Sequence, residues 1–128
     1  MALKGFTQRV LVSAAVIGAT IAGSFAMAAP AQADSANGCA YPRVCFYKTG
    51  NDWSTDHPTA AYQDFTSGYQ TLGSQSRGSY GVYNTRNNDG ALLHFTNGQT
   101  RCLAPNRFLW AQDVGTVDKI RIMDSASC

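Results

Sequence analysis

The stretch Ala91-Leu92-Leu93-His94-Phe95-Thr96-Asn97-Gly98-Gln99-Thr100-Arg101-Cys102-Leu103 decides the fold class. An apolar run and a β-prone run stand on either side of Asn97-Gly98, the strongest short-range signal for a hairpin. The expectation is a type I′ turn joining strands Ala91–Thr96 and Thr100–Leu103. The same grammar recurs on both sides. Lys119-Ile120-Arg121-Ile122-Met123 alternates polar and apolar residues, which puts Ile120 and Ile122 on one buried face of a strand. Further strands are read at Val44–Lys48, Ala61–Phe65, Ser79–Asn84 and Asp118–Met123, with Asn-Asn-Asp-Gly at 87–90 as another turn. No segment holds a 3.6-residue apolar period over three turns, so the domain is expected to be all-β.

The chain has 128 residues and a formal charge of +2. Its first third is a different material. Lys4 and Arg9 precede an uncharged, Ala-rich stretch, and Ala31-Gln32-Ala33 has the small-x-small form of a cleavage site. This is the layout of a secretory signal peptide over residues 1–33, leaving 34–128 as one secreted domain. Gly18, Gly23 and Pro30 interrupt the apolar run, and no basic stop-transfer cluster follows, which argues against a membrane anchor. Residues 34–128 carry eight basic and eight acidic side chains, all the acids being Asp. A chain of zero net charge does not suit nucleic acid or an anionic membrane as partner. No membrane association is expected after cleavage, and a monomer is expected.

Export sets the redox chemistry. Cys39, Cys45, Cys102 and Cys128 all fall in the secreted part, and four cysteines there read as two disulfides. Three pairings are possible. The simplest joins Cys39 to Cys45 in a local loop and leaves Cys102 with Cys128. On the chain-entropy estimate these would contribute about 2.4 and about 3.5 kcal/mol. A zinc site is disfavoured because no pair has the C-x₂₋₄-C spacing. Leu, Ile, Val and Phe are sparse, but six Tyr, four Phe and two Trp in the secreted part can fill a thin core between sheets.

Phe46-Tyr47-Lys48-Thr49-Gly50-Asn51-Asp52 lies over Val82-Tyr83-Asn84-Thr85-Arg86-Asn87-Asn88 at a shift of 36, which suggests two Greek-key units of roughly forty residues. At this point the chain resembles a family. Cys39-(x)5-Cys45-Phe46-Tyr47, Tyr83-(x)6-Gly90 and Asp118-Lys119-Ile120-Arg121-Ile122 look like small secreted actinobacterial proteins of the βγ-crystallin fold, and among them the streptomycete metalloproteinase inhibitor family. Crystallin-fold killer-toxin-like and antifungal proteins are neighbours in the resemblance. It implies two Greek-key units packed as a sandwich. The crystallin pattern has Tyr, an aromatic five places on and Gly at seven. Asn88 stands where the second unit would have the aromatic; in the first, Trp53 comes one place late and Ser54 replaces Gly. The spacing of Cys102 and Cys128 differs from the inhibitors' second disulfide, so no reactive-site residue carries over.

The resemblance makes a peptidase inhibitor, acting by loop insertion into an extracellular protease, the leading functional expectation. Its candidate interaction loop is Thr85–Gly90, with Arg86, Asn87, Asn88 and Asp89, and Arg86 is the side chain expected to fill a pocket. The alternative is a non-inhibitory or antimicrobial module that recognises a cell-wall glycan or a competitor's surface through exposed aromatics among Tyr41, Tyr47, Trp53, Tyr62, Tyr69, Tyr80, Tyr83 and Trp110. No enzyme is expected. His94 reads as a strand residue, His57 as a loop residue, no G-x-S-x-G elbow is present, and Asp64 and Asp113 have no context as a catalytic carboxylate pair. Asn51-Asp52-Trp53-Ser54-Thr55-Asp56 follows a crystallin calcium pattern up to its last position, where Asp replaces Ser, but an ordinary polar turn is preferred. No metal or cofactor is expected.

Overall fold

A computed structural model describes residues 35–128; the signal-peptide expectation for residues 1–33 lies outside the described residues. Eight strands form two antiparallel sheets. In chain order they are β1 (Val44–Tyr47), β2 (Ala60–Tyr62), β3 (Gln70–Thr71), β4 (Gly81–Asn84), β5 (Ala91–Phe95), β6 (Thr100–Leu103), β7 (Arg107–Leu109) and β8 (Val117–Ile122). A short helix, α1 (Gly50–Ser54), and a 3₁₀ turn (Ala111–Asp113) are the helical elements among the described residues. The all-β expectation and both disulfides are found. Cys39 joins Cys45 and Cys102 joins Cys128.

One sheet has the order β2-β1-β4-β7 and the other β3-β8-β5-β6. The first half of the domain therefore supplies β1, β2 and β4 to one sheet and sends β3 to the other. The second half mirrors it: β5, β6 and β8 stay together and β7 crosses. Each sheet is completed by the third strand of the opposite half. The shift of 36 residues does not describe this arrangement. It lays β1 over β4, which are antiparallel neighbours in one sheet, with Phe46 opposite Val82.

Period-two alternation builds the core. Val44, Phe46 and Val82 point inward from one sheet, and Leu93, Phe95, Ile120 and Ile122 from the other, all buried. Full burial of such a side chain contributes about 1.5–3 kcal/mol. Ile120 and Ile122 thus lie where their alternation put them. The strand expected at Ala61–Phe65 is shorter, and Phe65 makes only an isolated parallel bridge to Ile122.

The β5–β6 hairpin forms, but not through a type I′ turn. Phe95 N–H donates to Gln99 O and Gly98 N–H donates to Phe95 O, both at 2.9 Å, so the loop is the three residues Thr96–Gly98. Gly98 has φ +87°, whereas Asn97 stays out of the positive-φ region that type I′ demands of both central residues. The Asn97 side chain explains the choice. Its Nδ2 donates to Val114 O at 2.9 Å and its Oδ1 accepts from Gln99 N at 3.0 Å, which ties the loop to the segment before β8.

The outer face of the β2-β1-β4-β7 sheet is covered as well. Thr49 and Asp52 form a reciprocal capping box that starts α1. The helix lays Trp53 over Tyr47, Tyr83 and Phe108, beside the Cys39–Cys45 bridge.

Candidate functional site

Of the four residues of the candidate interaction loop, Arg86 is placed opposite to expectation. Its side chain turns inward, leaving the residue 7% exposed. The guanidinium Nε donates to Asp89 Oδ2 at 2.9 Å, and Nη1 donates to Pro42 O at 2.7 Å and approaches Gln63 O at 3.4 Å. Phe65 lies over it, with its ring centroid 4.6 Å from the guanidinium carbon. An always-charged group so enclosed must find acceptors on its own chain, and this one does. Arg86 is therefore a brace and not the side chain that enters a pocket.

The remaining bonds make the loop a closed unit. Asn84, at the end of β4, donates from Nδ2 to Asp89 O at 2.9 Å and to Leu103 O at 3.1 Å, while its Oδ1 accepts from Arg86 N at 2.9 Å. Thr85 donates to Arg43 O through both its N–H, at 3.1 Å, and its Oγ1, at 2.7 Å. Gly90 N–H donates to Ser125 O at 2.7 Å, which fastens the far end to the C-terminal segment held by Cys102–Cys128. A Cβ at Gly90 would lie 2.9 Å from Ala126 O and 3.2 Å from Cys128 Sγ, so the tail can close here only against glycine. Asn87 and Asn88 are left exposed at the tip, with Asn87 Oδ1 accepting from Asn106 Nδ2 at 3.0 Å.

A second constellation was half visible in the sequence. Of the eight Tyr and Trp residues named above, only Tyr47 is fully buried; Tyr41, Tyr69 and Trp110 are exposed and the others half-buried. Trp110 packs edge-to-face on Tyr80 at 5.3 Å and on Phe108 at 4.5 Å, and Phe108 meets Trp53 at 4.0 Å. Phe108 was not anticipated. The signal was Gly81: a Cβ there would lie 2.2 Å from Phe108 Cζ, so the ring rests on a strand position that must lack a side chain.

His94 faces outward on β5 as a hydrogen-bonded strand residue, Nδ1 2.7 Å from Asp118 Oδ1 and its ring against Tyr69. His57 is exposed, 3.3 Å from Thr55 Oγ1. Along Asn51–Asp56 three oxygens of the candidate calcium pattern accept hydrogen bonds from the protein itself. Asp52 Oδ2 accepts from Thr49 N and Oγ1, Asn51 O accepts from Thr55 Oγ1, and Asp56 Oδ1 accepts from Asn37 Nδ2. Among the described residues no group of three or more His, Cys, Asp or Glu is gathered in a way that could hold a metal ion. Among the same residues no helix is long and apolar enough to cross a membrane. Burial holds the Tyr47 phenol far above its ordinary range, helped by the Asp56 charge, and its hydroxyl donates to Asn37 O at 2.7 Å.

Comparison with known proteins found no family model, no curated protein and no solved structure that matches this chain.

Proposed function

We propose that this is a secreted, non-catalytic inhibitor of an extracellular peptidase, built from two interleaved Greek-key units of βγ-crystallin type. The strand order supports the architecture: in each half the fourth strand lies beside the first, β4 by β1 and β8 by β5, as it does in a Greek key. The observation that carries the function is the internal brace of Thr85–Gly90. A substrate-like loop binds well and resists cleavage when its conformation is set before the encounter, because little ordering entropy remains to be lost. Here one guanidinium, one Asn amide and the disulfide-tied tail hold the loop from inside. The side chains offered outward are Asn87 and Asn88, and one of these, not Arg86, would occupy the peptidase's specificity pocket.

The test is titration of a thermolysin-like and a trypsin-like peptidase with the purified secreted protein. Stoichiometric slowing of at least one is expected, and the double substitution Asn87→Ala, Asn88→Ala should abolish it while leaving the unfolding midpoint unchanged. If neither enzyme slows, or if the loop is cut as fast as a linear peptide of the same sequence, the inhibitor reading is wrong.

A further inference from the structure

The aromatic row on the outer face of the β2-β1-β4-β7 sheet is not used by the loop, and its construction points to a ligand of its own. Trp110 follows β7 and is 46% exposed, yet it is held by edge-to-face contacts with both Tyr80 and Phe108. The two neighbours hold the exposed indole in one orientation, so it can offer its ring for stacking at little further cost in order. Its surroundings are polar. The 3₁₀ turn brings Gln112 and Asp113 directly after it, and Gln112 N–H donates to Tyr80 O at 3.2 Å. Gly50 lies against the Tyr80 ring, where a Cβ would stand 3.4 Å from Cε1, and the exposed Asn51 follows it directly in the chain.

The chemistry of this fringe selects the occupant. Amides and a carboxylate are partners for sugar hydroxyls, and the C–H face of a pyranose ring stacks on an indole. Among the described residues, the cations near the fringe in sequence are turned away from it or already engaged. Arg107, three residues before Trp110, pairs with Asn84 on the opposite face of the sheet from Phe108, and Lys48, next to Thr49, has its ammonium held by the carbonyls of Ser74 and Arg77, while Asp113 adds a negative charge beside Trp110. We infer that the Trp110 platform binds an uncharged polysaccharide, as a second site separate from the Thr85–Gly90 loop. Such a site would keep the protein on a wall surface. It stands on different residues from the inhibitor reading, and either can fail without the other.

The experiment is retention of the purified secreted protein on insoluble chitin, on β-1,3-glucan and on cross-linked polygalacturonate as the anionic comparison. Retention is expected on a neutral polymer and not on the anionic one. Trp110→Ala should lower the partition coefficient by about tenfold or more, the scale of one lost stacked ring. Trp110→Phe should fall between, and each variant is to be checked for cooperative thermal unfolding. If Trp110→Ala does not fold, the Trp110→Phe result decides. No retention on either neutral polymer, equal retention on polygalacturonate, or retention indifferent to both substitutions would overturn the assignment. The Asn87→Ala, Asn88→Ala protein should be retained like the parent; its loss from the polymer would place binding at the loop and equally overturn it.

Discussion

Replacing Arg86 with Ala tests the brace directly. The side chain is 9% exposed and its partner Asp89 17% exposed. Truncation leaves the Asp89 carboxylate with no counter-charge and Pro42 O without its 2.7 Å donor, and it removes the cation beneath Phe65. Breaking a buried pair from one side costs about 3–5 kcal/mol, and the partial exposure of Asp89 argues for the lower end, about 3 kcal/mol. In a domain of this size each 1 kcal/mol moves the midpoint by roughly 4–8 °C, so a fall of about 15 °C is expected. Arg86→Lys keeps the charge but not the planar fork that serves a carboxylate and a carbonyl together, and should lose about half as much. The double substitution Arg86→Ala, Asp89→Ala should recover about 1 kcal/mol or more, because the orphaned carboxylate is gone. Urea unfolding followed by Trp fluorescence measures all three proteins. A loss below about 0.5 kcal/mol for Arg86→Ala, or strict additivity in the double variant, would show that the guanidinium does not hold the loop.

Two further perturbations address the aromatic face. Gly81→Ala puts a methyl group 2.2 Å from Phe108 Cζ, so the ring must move by more than an ångström against Trp53 and Trp110. A destabilisation of about 1–3 kcal/mol is expected in chemical denaturation, largely relieved by adding Phe108→Ala, and polysaccharide retention should fall together with stability. Tyr47 supplies a pH dependence. Its phenol is kept neutral in the folded state beyond the pH at which the unfolded chain ionises, so its contribution is full below about pH 10 and declines as pH rises above it. Tyr47→Phe should be less stable at neutral pH by about 1 kcal/mol, for the lost bond to Asn37 O, and should show a shallower alkaline decline; equal alkaline slopes in parent and variant would exclude Tyr47 as the cause.

What was readable in the sequence, and what was not, follows from the range of the forces involved. Ile120 and Ile122, or Leu93 and Phe95, announce a strand because a half-buried strand must alternate. β3 has two residues and β7 three, too few for alternation to register, and Arg107-Phe108-Leu109-Trp110 reads equally as loop. Helix α1 is five residues long and shows itself only through its cap, where Thr49 and Asp52 stand at capping-box spacing. The pairing of the cysteines was open to a proximity argument. The inward turn of Arg86 was not, because arginine is mostly exposed and only the Asp three places on hints at a partner; its other acceptors, Pro42 O and Gln63 O, come from distant segments.

The false register of the internal repeat has the same origin. Phe46-Tyr47 and Val82-Tyr83 look alike because β1 and β4 pair side by side, with Phe46 and Val82 sharing the inner face and Cys45 and Tyr83 the outer. The two segments share one environment. The equivalence in strand order instead matches β1 with β5 and β2 with β6, and there the sequences differ. The β5–β6 link is the three-residue loop Thr96–Gly98, whereas residues 48–59 join β1 to β2 and include α1. Only the longer link carries a Trp back over its own sheet. The exchanged strand then brings Phe108 and Trp110 against that Trp53, so an aromatic layer forms on one outer face, while His94 and Asp118 stand on the other. The platform is thus a product of both the exchange, which the two halves share, and one link, which they do not. Shortening residues 48–59 to a three-residue loop like Thr96–Gly98 should therefore remove polysaccharide retention while leaving the inner core of Phe46, Leu93 and Ile120 intact.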